Sequence, residues 1–316
     1  MTKFISILTD QPAAYHLQLE AMLEQLELDI NFEIVTDNPA ILANSRTQIL
    51  LADPDLAVQV IEELPHLQWL QSTWAGNQVL LSHPRQDYLL TGVKDVFSEQ
   101  MAEYALTHIF NHEHQTELFK TLQNIKKWEP PKKSSVRGKT LGILGFGNIA
   151  QGMVRVLESI GLKIVGLNRT GHSVMGFSHI PIEAAADKTI FATQCDYILN
   201  LLPDTDATQA FIDLDFVQAC QPNTLFINAG RGTVINDKTL MYALDHHYFG
   251  RAVLDVFTCE PLPVNSPLWS HPNILITQHS AAKSQPEDII NIFLRNLQRL
   301  QLNAPLKYLM HWDKGY

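Results

Sequence analysis

The chain has 316 residues, 46% hydrophobic and 18% charged, and its 23 basic against 33 acidic side chains leave a formal net charge of -10. That length exceeds one ordinary core and predicts two domains, while the acidic balance disfavours nucleic acid or an anionic membrane as a partner. The three cysteines, Cys195, Cys220 and Cys259, are odd in number and share no C-x-x-C spacing, which disfavours a disulfide framework or a zinc site and fits a reducing cytosol.

In chain order, the N-terminal residues turn polar too soon for a signal-peptide core, and no apolar run reaches about 18 residues, so a soluble, cytoplasmic protein is expected. Phe4–Leu8 reads as a buried strand and Ala13–Leu28 as an amphipathic helix using Leu17, Leu19, Met22, Leu23 and Leu26. Short apolar runs follow at Phe32–Val35, Ile49–Ala52, Leu67–Leu70 and Tyr88–Val93, with helical spacing over Leu56–Leu64. Alternating strands and helices predict a small doubly wound domain, and its loop S-T-W-A-G-N (Ser72–Asn77) directly follows a strand.

From Ser98, a potential cap, a helical pattern runs over Glu99 to about Lys127 without a proline. At roughly 1.5 Å per residue this is some 40 Å, enough to bridge domains or to pack against a second subunit. His108 and His112 stand at i, i+4 on it beside His114, but no third ligand of matching spacing accompanies them, and core or solvated histidines are the favoured reading over a metal site. Glu129–Arg137, with Pro130, Pro131, Lys132 and Lys133, reads as a solvated loop.

The segment Lys139–Thr170 organises the rest. An apolar strand, Leu141–Leu144, enters a turn with Gly145 and Gly147; a helix from Asn148 to about Ile160 and a second strand, Ile164–Leu167, follow. This is the unit that holds a dinucleotide pyrophosphate: Gly145 permits the tight turn, Gly147 admits the phosphates to bare backbone, and the helix aims its N-terminal amides at the anion. Further strands are predicted at Asp196–Leu202, Phe226–Ala229, Ala252–Phe257 and Ile274–Thr277, with a helix over Asp237–His247. Each strand ends in a polar cluster, at Leu202–Thr208, Gly230–Gly232, Thr258–Pro261 and Gln278–Ser280, at the edge where doubly wound sheets open their ligand crevice. A last amphipathic helix, Gln285–Leu302, uses Ile289, Ile290, Phe293, Leu294, Leu297 and Leu300 and is expected to return to the first domain.

Hydride transfer from a nicotinamide to a carbonyl requires a proton donor for the developing alkoxide, a cation to polarise the carbonyl, and a grip on the substrate. Histidine is the usual donor, and a neighbouring carboxylate favours an imidazolium. His279 and Glu260 can form that couple, and Arg231 can hold a 2-keto acid through paired N–H donors. Backbone amides of Ala75 and Gly76 would receive the substrate carboxylate. Taken singly, Arg231 reads as well as a surface ion pair, Glu260 as a solvated loop residue and His279 as a strand-end residue bonded to backbone; three such groups on three strand ends favour chemistry.

The segments G-I-L-G-F-G-N-I-A (Gly142–Ala150), L-P-D-T-D-A-T (Leu202–Thr208), F-I-N-A-G-R-G-T-V-I-N (Phe226–Asn236), L-D-V-F-T-C-E-P-L-P (Leu254–Pro263) and T-Q-H-S-A-A (Thr277–Ala282) resemble, in order and spacing, the D-isomer-specific 2-hydroxyacid dehydrogenase family. The resemblance covers essentially the whole chain, and the W-A-G-N loop looks most like the glyoxylate/hydroxypyruvate reductase branch. It implies an α/β protein of two doubly wound parallel-sheet domains. The Rossmann dinucleotide-binding domain, 98–283, is inserted into a flavodoxin-like substrate domain, 1–97 plus 284–316. It implies that Arg231 binds and polarises the keto acid, that Glu260 tunes the histidine, and that His279 is the acid/base. Asp255 would orient the nicotinamide carboxamide. M-A-E-Y-A-L (Met101–Leu106) resembles the start of the family's interdomain helix, which contributes there to a homodimer.

The expected cofactor set is Gly145, Phe146, Gly147, Asn148, Ile149, Asn168, Arg169, Thr170, Leu202, Pro203, Thr208, Ala229, Gly230, Asp255 and His279; the expected substrate set is Trp74, Ala75, Gly76 and Arg231. Three departures stand out: Ala150 at the third glycine, Asn77 where an acidic residue is frequent, and Gln278 where a proline usually precedes the histidine. Modest effects on loop shape are expected from the last two. Where NAD enzymes commonly carry Asp or Glu for the ribose, this chain has Asn168-Arg169-Thr170, which offers donors and a positive charge to a 2′-phosphate. NADP(H) is therefore the expected cofactor, with NAD(H) possible, and glyoxylate or hydroxypyruvate the expected substrate. The alternatives are a bulkier 2-hydroxy acid of phenylpyruvate or phosphoglycerate type, or a dinucleotide-sensing interaction protein without activity.

Overall fold

The computed structural model describes residues 4–25, 31–131, 134–173 and 176–312. It divides into two compact units, Met1–Val96 with Ser284–Tyr316, and Phe97–Lys283.

The first unit begins with β1 (Phe4–Leu8), α1 (Pro12–Gln25), β2 (Asn31–Thr36), β3 (Ile49–Ala52) and α2 (Pro54–Ala57). After them come β4 (Trp69–Ser72), α3 (Gln78–Leu81) and β5 (Leu89–Thr91). All pairings are parallel, in the order β2-β1-β3-β4-β5, the flavodoxin-like arrangement. β3 and β4 are wholly buried, because helices cover both faces of a parallel sheet.

Two predicted helices come out differently here. α1 buries Tyr15, Leu19 and Leu23, at i, i+4 and i+8, and leaves Leu17 71% exposed; Leu26 lies outside the described residues. The helix expected over Leu56–Leu64 is a single α turn at Pro54–Ala57 followed by a 3-10 turn at Ile61–Glu63. Ala57, Val60, Ile61 and Leu64 are buried while Leu56 and Val58 are half-buried, so the periodicity marks burial without a continuous helix.

The second unit opens with α4 (Ser98–Glu113) and α5 (Thr116–Asn124), then β6 (Thr140–Leu144), α6 (Asn148–Ser159) and β7 (Lys163–Asn168). It continues through β8 (Ile182–Ala184), α7 (Lys188–Thr193), β9 (Tyr197–Asn200) and α8 (Leu214–Ala219). It closes with β10 (Thr224–Asn228), α9 (Asp237–Asp245), β11 (Phe249–Leu254) and β12 (Ile274–Ile276). The order is β12-β11-β10-β9-β6-β7-β8, every pair parallel, so the strand order reverses between β6 and β9. One face packs Met101, Ala105 and Ile109 of α4 with Val154 and Leu157 of α6; the other packs Phe191, Phe216, Leu240 and Leu244.

The single helix expected over Glu99–Lys127 is broken in two. Gln115 takes a left-handed φ of 50° between α4 and α5, which redirects the chain. α5 buries none of its residues, so no core holds it in line with α4. Ser98 is the first helical residue and does not cap; Phe97 is the N-cap, without a side-chain bond. His108 and His112 are held below the usual imidazole range first by burial and then by nearby cations, Arg251 for both and Lys139 also for His112. Within the Glu129–Arg137 loop, Lys132 and Lys133 lie outside the described residues. The last helix, α10 (Pro286–Gln301), belongs to the first unit and packs against α1, with Phe293 stacked on Trp69 at 5.1 Å.

Candidate active site

Because every pairing in the seven-stranded sheet is parallel, all its strand ends share one edge. Along that edge lie, in spatial order, His279 after β12, Glu260 after β11, Arg231 after β10, Leu202–Thr208 after β9, the glycine turn after β6, and Asn168-Arg169-Thr170 closing β7. Most of the expected cofactor positions occupy the β6, β7 and β9 ends, on both sides of the switch in strand order; Ala229, Gly230, Asp255 and His279 follow β10, β11 and β12, the three consecutive strands that also carry the expected catalytic groups.

His279 Nδ1 lies 2.7 Å from Glu260 Oε2. A carboxylate only accepts, so Nδ1 carries the proton of this bond and Nε2 is left for a ligand. The other oxygen of Glu260 accepts the Phe257 amide at 2.8 Å, which fixes the carboxylate on its own loop. Both side chains remain accessible, at 59% and 35%. Among the described residues Arg231 forms no ion pair, and its side chain makes one hydrogen bond, Nη1 to the Gly230 carbonyl at 2.6 Å. The other guanidinium donors are available to a ligand.

Two buried asparagines that sequence reasoning passed over shape the Arg231 loop. Asn200 and Asn228 end the adjacent strands β9 and β10 and bond to each other at 2.8 Å. Asn228 also donates to the Arg231 carbonyl at 3.1 Å and accepts the Gly230 amide at 3.3 Å, while Asn200 accepts the Leu202 amide at 3.2 Å. A polar residue closing two neighbouring apolar runs was the available signal. Thr208 uses its hydroxyl within its own turn, donating to Pro203 O at 2.6 Å.

The backbone around His279 is unusual. Gln278 and His279 are consecutive non-glycine residues at φ 56° and 55°. The left-handed region costs an L-residue about 1–2 kcal/mol, so something must hold this turn. Asp255, 1% exposed, does so: Oδ1 accepts Thr277 Oγ1 at 2.6 Å and Ser280 N at 2.8 Å, Oδ2 accepts Ala281 N at 3.1 Å, and its carbonyl accepts His279 N at 2.7 Å. Proline cannot reach φ 56°, so Gln278 in place of the usual proline accompanies a backbone path that proline would forbid.

In the glycine turn Gly145 sits at φ 86°, and a Cβ there would come within 2.9 Å of Leu201 O. A Cβ on Gly147 would meet nothing closer than Gly145 O at 3.9 Å, so the space in front of the helix is left open on the ligand side. Gly147 is also the N-cap of α6 and brings no capping side chain, and Ala150 is fully buried against the sheet. Open backbone at a helix N-terminus fits a pyrophosphate. At the end of β7, Asn168 Oδ1 accepts the amides of Thr170 and Gly171 at 3.0 and 2.7 Å, and Nδ2 donates to His172 O at 2.9 Å. Asn168 therefore builds the turn, and exposed Arg169 and Thr170 present the donors.

In the first unit, Trp74 is 41% exposed and Ala75 and Gly76 follow it on the loop after β4. Asn77, 3% exposed, closes that loop by donating to the carbonyls of Trp74 and Ala75 at 3.1 and 3.4 Å, which a carboxylate could not do. Asp53 accepts the Thr73 hydroxyl and the Asp10 amide, the latter at 2.8 Å; burial pushes its carboxyl up to about 6, against the lowering effect of those two bonds.

Comparison with known proteins places the family. Residues 106–281 match the model of the D-isomer specific 2-hydroxyacid dehydrogenase NAD binding domain. Glyoxylate/hydroxypyruvate reductase A of Escherichia fergusonii is 29% identical over 221 residues, 69% of each chain. A D-isomer specific 2-hydroxyacid dehydrogenase family protein from Aeromonas salmonicida superposes with a TM-score of 0.90 at 34% identity, over 99% of this chain and 100% of that one. An NADPH-dependent glyoxylate/hydroxypyruvate reductase from Sinorhizobium meliloti, solved with NADP and sulfate, shares the fold at a TM-score of 0.85 and 24% identity, over the full length of both. The chain belongs to the D-isomer specific 2-hydroxyacid dehydrogenases, NAD(P)-dependent oxidoreductases whose NAD binding domain it matches over residues 106–281, within the second compact unit.

Proposed function

We propose that the protein reduces a small 2-keto acid, glyoxylate or hydroxypyruvate, to the D-2-hydroxy acid with NADPH. The observation that carries this reading is the 2.7 Å His279–Glu260 pair, after β12 and β11, on the same sheet edge as Arg231 after the adjoining β10. A reduced nicotinamide held along this edge would supply the hydride for the keto carbon. Arg231 grips the substrate carboxylate and polarises the carbonyl with its unused donors. His279 delivers a proton from Nε2 to the developing alkoxide, and Glu260 holds the ring through Nδ1 so that Nε2 faces the reacting oxygen. Ala75 and Gly76 offer backbone donors to the carboxylate, with Trp74 bounding the substrate. Gly145, Phe146, Gly147, Asn148 and Ile149 take the pyrophosphate. Leu202, Pro203, Thr208, Ala229 and Gly230 would line the nicotinamide half, and Asp255 would orient its carboxamide.

The cofactor preference is carried by Arg169 and Thr170, with Asn168 as their scaffold. The NADPH dependence of the Sinorhizobium meliloti reductase is consistent with it. A homodimer belongs to the same reading, supported by Leu118, Phe119, Ile125 and Trp128, which are exposed in the single chain; sedimentation at the mass of one chain would remove it. Among the described residues no helix is long and apolar enough to cross a membrane.

Steady-state oxidation of NADPH with a panel of keto acids tests the whole. Glyoxylate or hydroxypyruvate should outpace phenylpyruvate, and His279→Ala should lower kcat by roughly 10²–10⁴-fold. Arg169→Ala should weaken NADPH by about tenfold or more while sparing NADH. Unchanged turnover in His279→Ala would remove the histidine from the mechanism, and equal losses for both cofactors would sink the 2′-phosphate assignment. Tight NADPH binding with no oxidation by any keto acid would favour a dinucleotide sensor.

A further inference from the structure

We propose that Tyr104 is a positioning residue for His279, acting from α4 through Thr277 and Asp255 to hold the left-handed turn that carries the imidazole. The catalytic consequence rests on the hydride-transfer reading above; the structural part does not.

The chain of bonds has a direction. Tyr104 Oη lies 2.7 Å from Thr277 Oγ1, and Thr277 Oγ1 lies 2.6 Å from Asp255 Oδ1. A carboxylate can only accept, so the one hydroxyl proton of Thr277 goes to Asp255, and the phenol must donate to Thr277. Burial raises the Tyr104 phenol further above its ordinary range, which keeps that proton in place. The chain ends on the buried carboxylate that also takes the amides of Ser280 and Ala281, while the carbonyl of the same residue takes the amide of His279. Asp255 thus receives both sides of a turn whose two central residues have no glycine to relax them.

The outer anchor is rigid. Met101, Ala102, Ala105 and Ile109 of α4 are buried, so the helix cannot rotate without exposing them. His108, one turn on, meets the Tyr104 ring edge-on at 4.5 Å and restricts its swing. Without the phenol, Thr277 would lose the donor that orients its hydroxyl, and its rotamer would no longer be committed to Asp255. The turn after β12 would then relax toward right-handed backbone, carrying the imidazole away from Glu260.

Site-resolved hydrogen exchange on the full chain tests the anchoring. The amides of His279, Ser280 and Ala281 should exchange about fivefold faster in Tyr104→Phe and about tenfold or more in Thr277→Val, with Thr277→Ser close to the parent. With glyoxylate, Tyr104→Phe should lower kcat by about 5–50-fold while the NADPH dissociation constant moves less than about twofold. In a His279→Ala background the same change should cost nothing further, since the two residues act as one unit. Exchange unchanged in both Tyr104→Phe and Thr277→Val overturns the proposal. Faster exchange at unchanged kcat, or an equal kcat loss without His279, overturns the positioning role. If the parent chain reduces no keto acid, the hydride-transfer reading fails, and the exchange arm alone still decides whether these bonds hold the turn.

Discussion

Each sheet has an aspartate immediately after a strand, and each aspartate takes the hydroxyl of a threonine immediately after the neighbouring strand. In the five-stranded sheet Asp53, after β3, takes Thr73, after β4; in the seven-stranded sheet Asp255, after β11, takes Thr277, after β12. The device is the same, a carboxylate stitching two parallel strand ends, yet the loads differ. Asp255 receives three side-chain-to-protein bonds and steadies two left-handed residues. Asp53 receives two, and burial raises its pKa to about 6. A buried carboxylate stays ionised only as far as donors replace the water it has lost, and at Asp53 burial outweighs the two bonds, which makes that stitch sensitive to pH.

The comparison breaks most sharply at Gln278. A proline there cannot adopt φ 56°, so Gln278→Pro should lower stability by about 3 kcal/mol or force the turn into another path, with kcat falling at least about tenfold. Urea unfolding and glyoxylate turnover read both effects; a variant matching the parent in each would show that the left-handed turn is dispensable. On the other sheet, Thr73→Val leaves Asp53 with the Asp10 amide as its one remaining donor among the described residues and should cost about 1–3 kcal/mol at pH 7. Loss of less than a few tenths would mean that the Asp53 carboxyl is not held through Thr73.

The smallest effect is the pH dependence of Asp53. An acid whose pKa is higher folded than unfolded binds more protons when folded, so its contribution to stability is greatest at low pH. That contribution falls as pH rises from about 4 to about 6 and then levels off. Asp53→Asn removes this slope. The stability of the variant relative to the parent should therefore improve by about 1 kcal/mol between pH 5 and pH 7, read from urea midpoints at the two values. An offset that does not change with pH would place the carboxyl within the ordinary range.

Much of the candidate site was legible because its residues announce themselves locally. Gly145 and Gly147 between two apolar runs mark a strand-turn-helix unit, and Arg231, Glu260 and His279 each follow a run that can only be a buried strand. What escaped was whatever depends on a partner far along the chain. Asn200 and Asn228 look like ordinary polar strand ends until β9 and β10 lie side by side. The helix expected over Glu99–Lys127 contains no proline or glycine, and its break at Gln115 follows from the core, which holds α4 and does not extend to α5. Leu56–Leu64 carries a helical spacing of apolar residues that tertiary packing satisfied with two short turns.

The departures from the family pattern divide in the same way. Ala150 could be judged from sequence, since a small residue where helix meets strand needs only to be small. Asn77 and Gln278 could not, because their meaning lies in the hydrogen bond one donates and the dihedral angle the other adopts.

By itself, then, the amino-acid order determined the alternation of strands and helices and the dinucleotide unit, because apolar periodicity and glycine act over a few residues, and through its resemblance to the family it nominated Arg231, Glu260 and His279. Tertiary structure alone decided which strands are neighbours and, through that adjacency, the 2.7 Å pairing of His279 with Glu260 and the bonds from Asp255 that hold a left-handed turn without glycine. Side-chain hydrogen bonds to groups 19 to 26 positions away form only once parallel pairing has brought their strand ends to one edge.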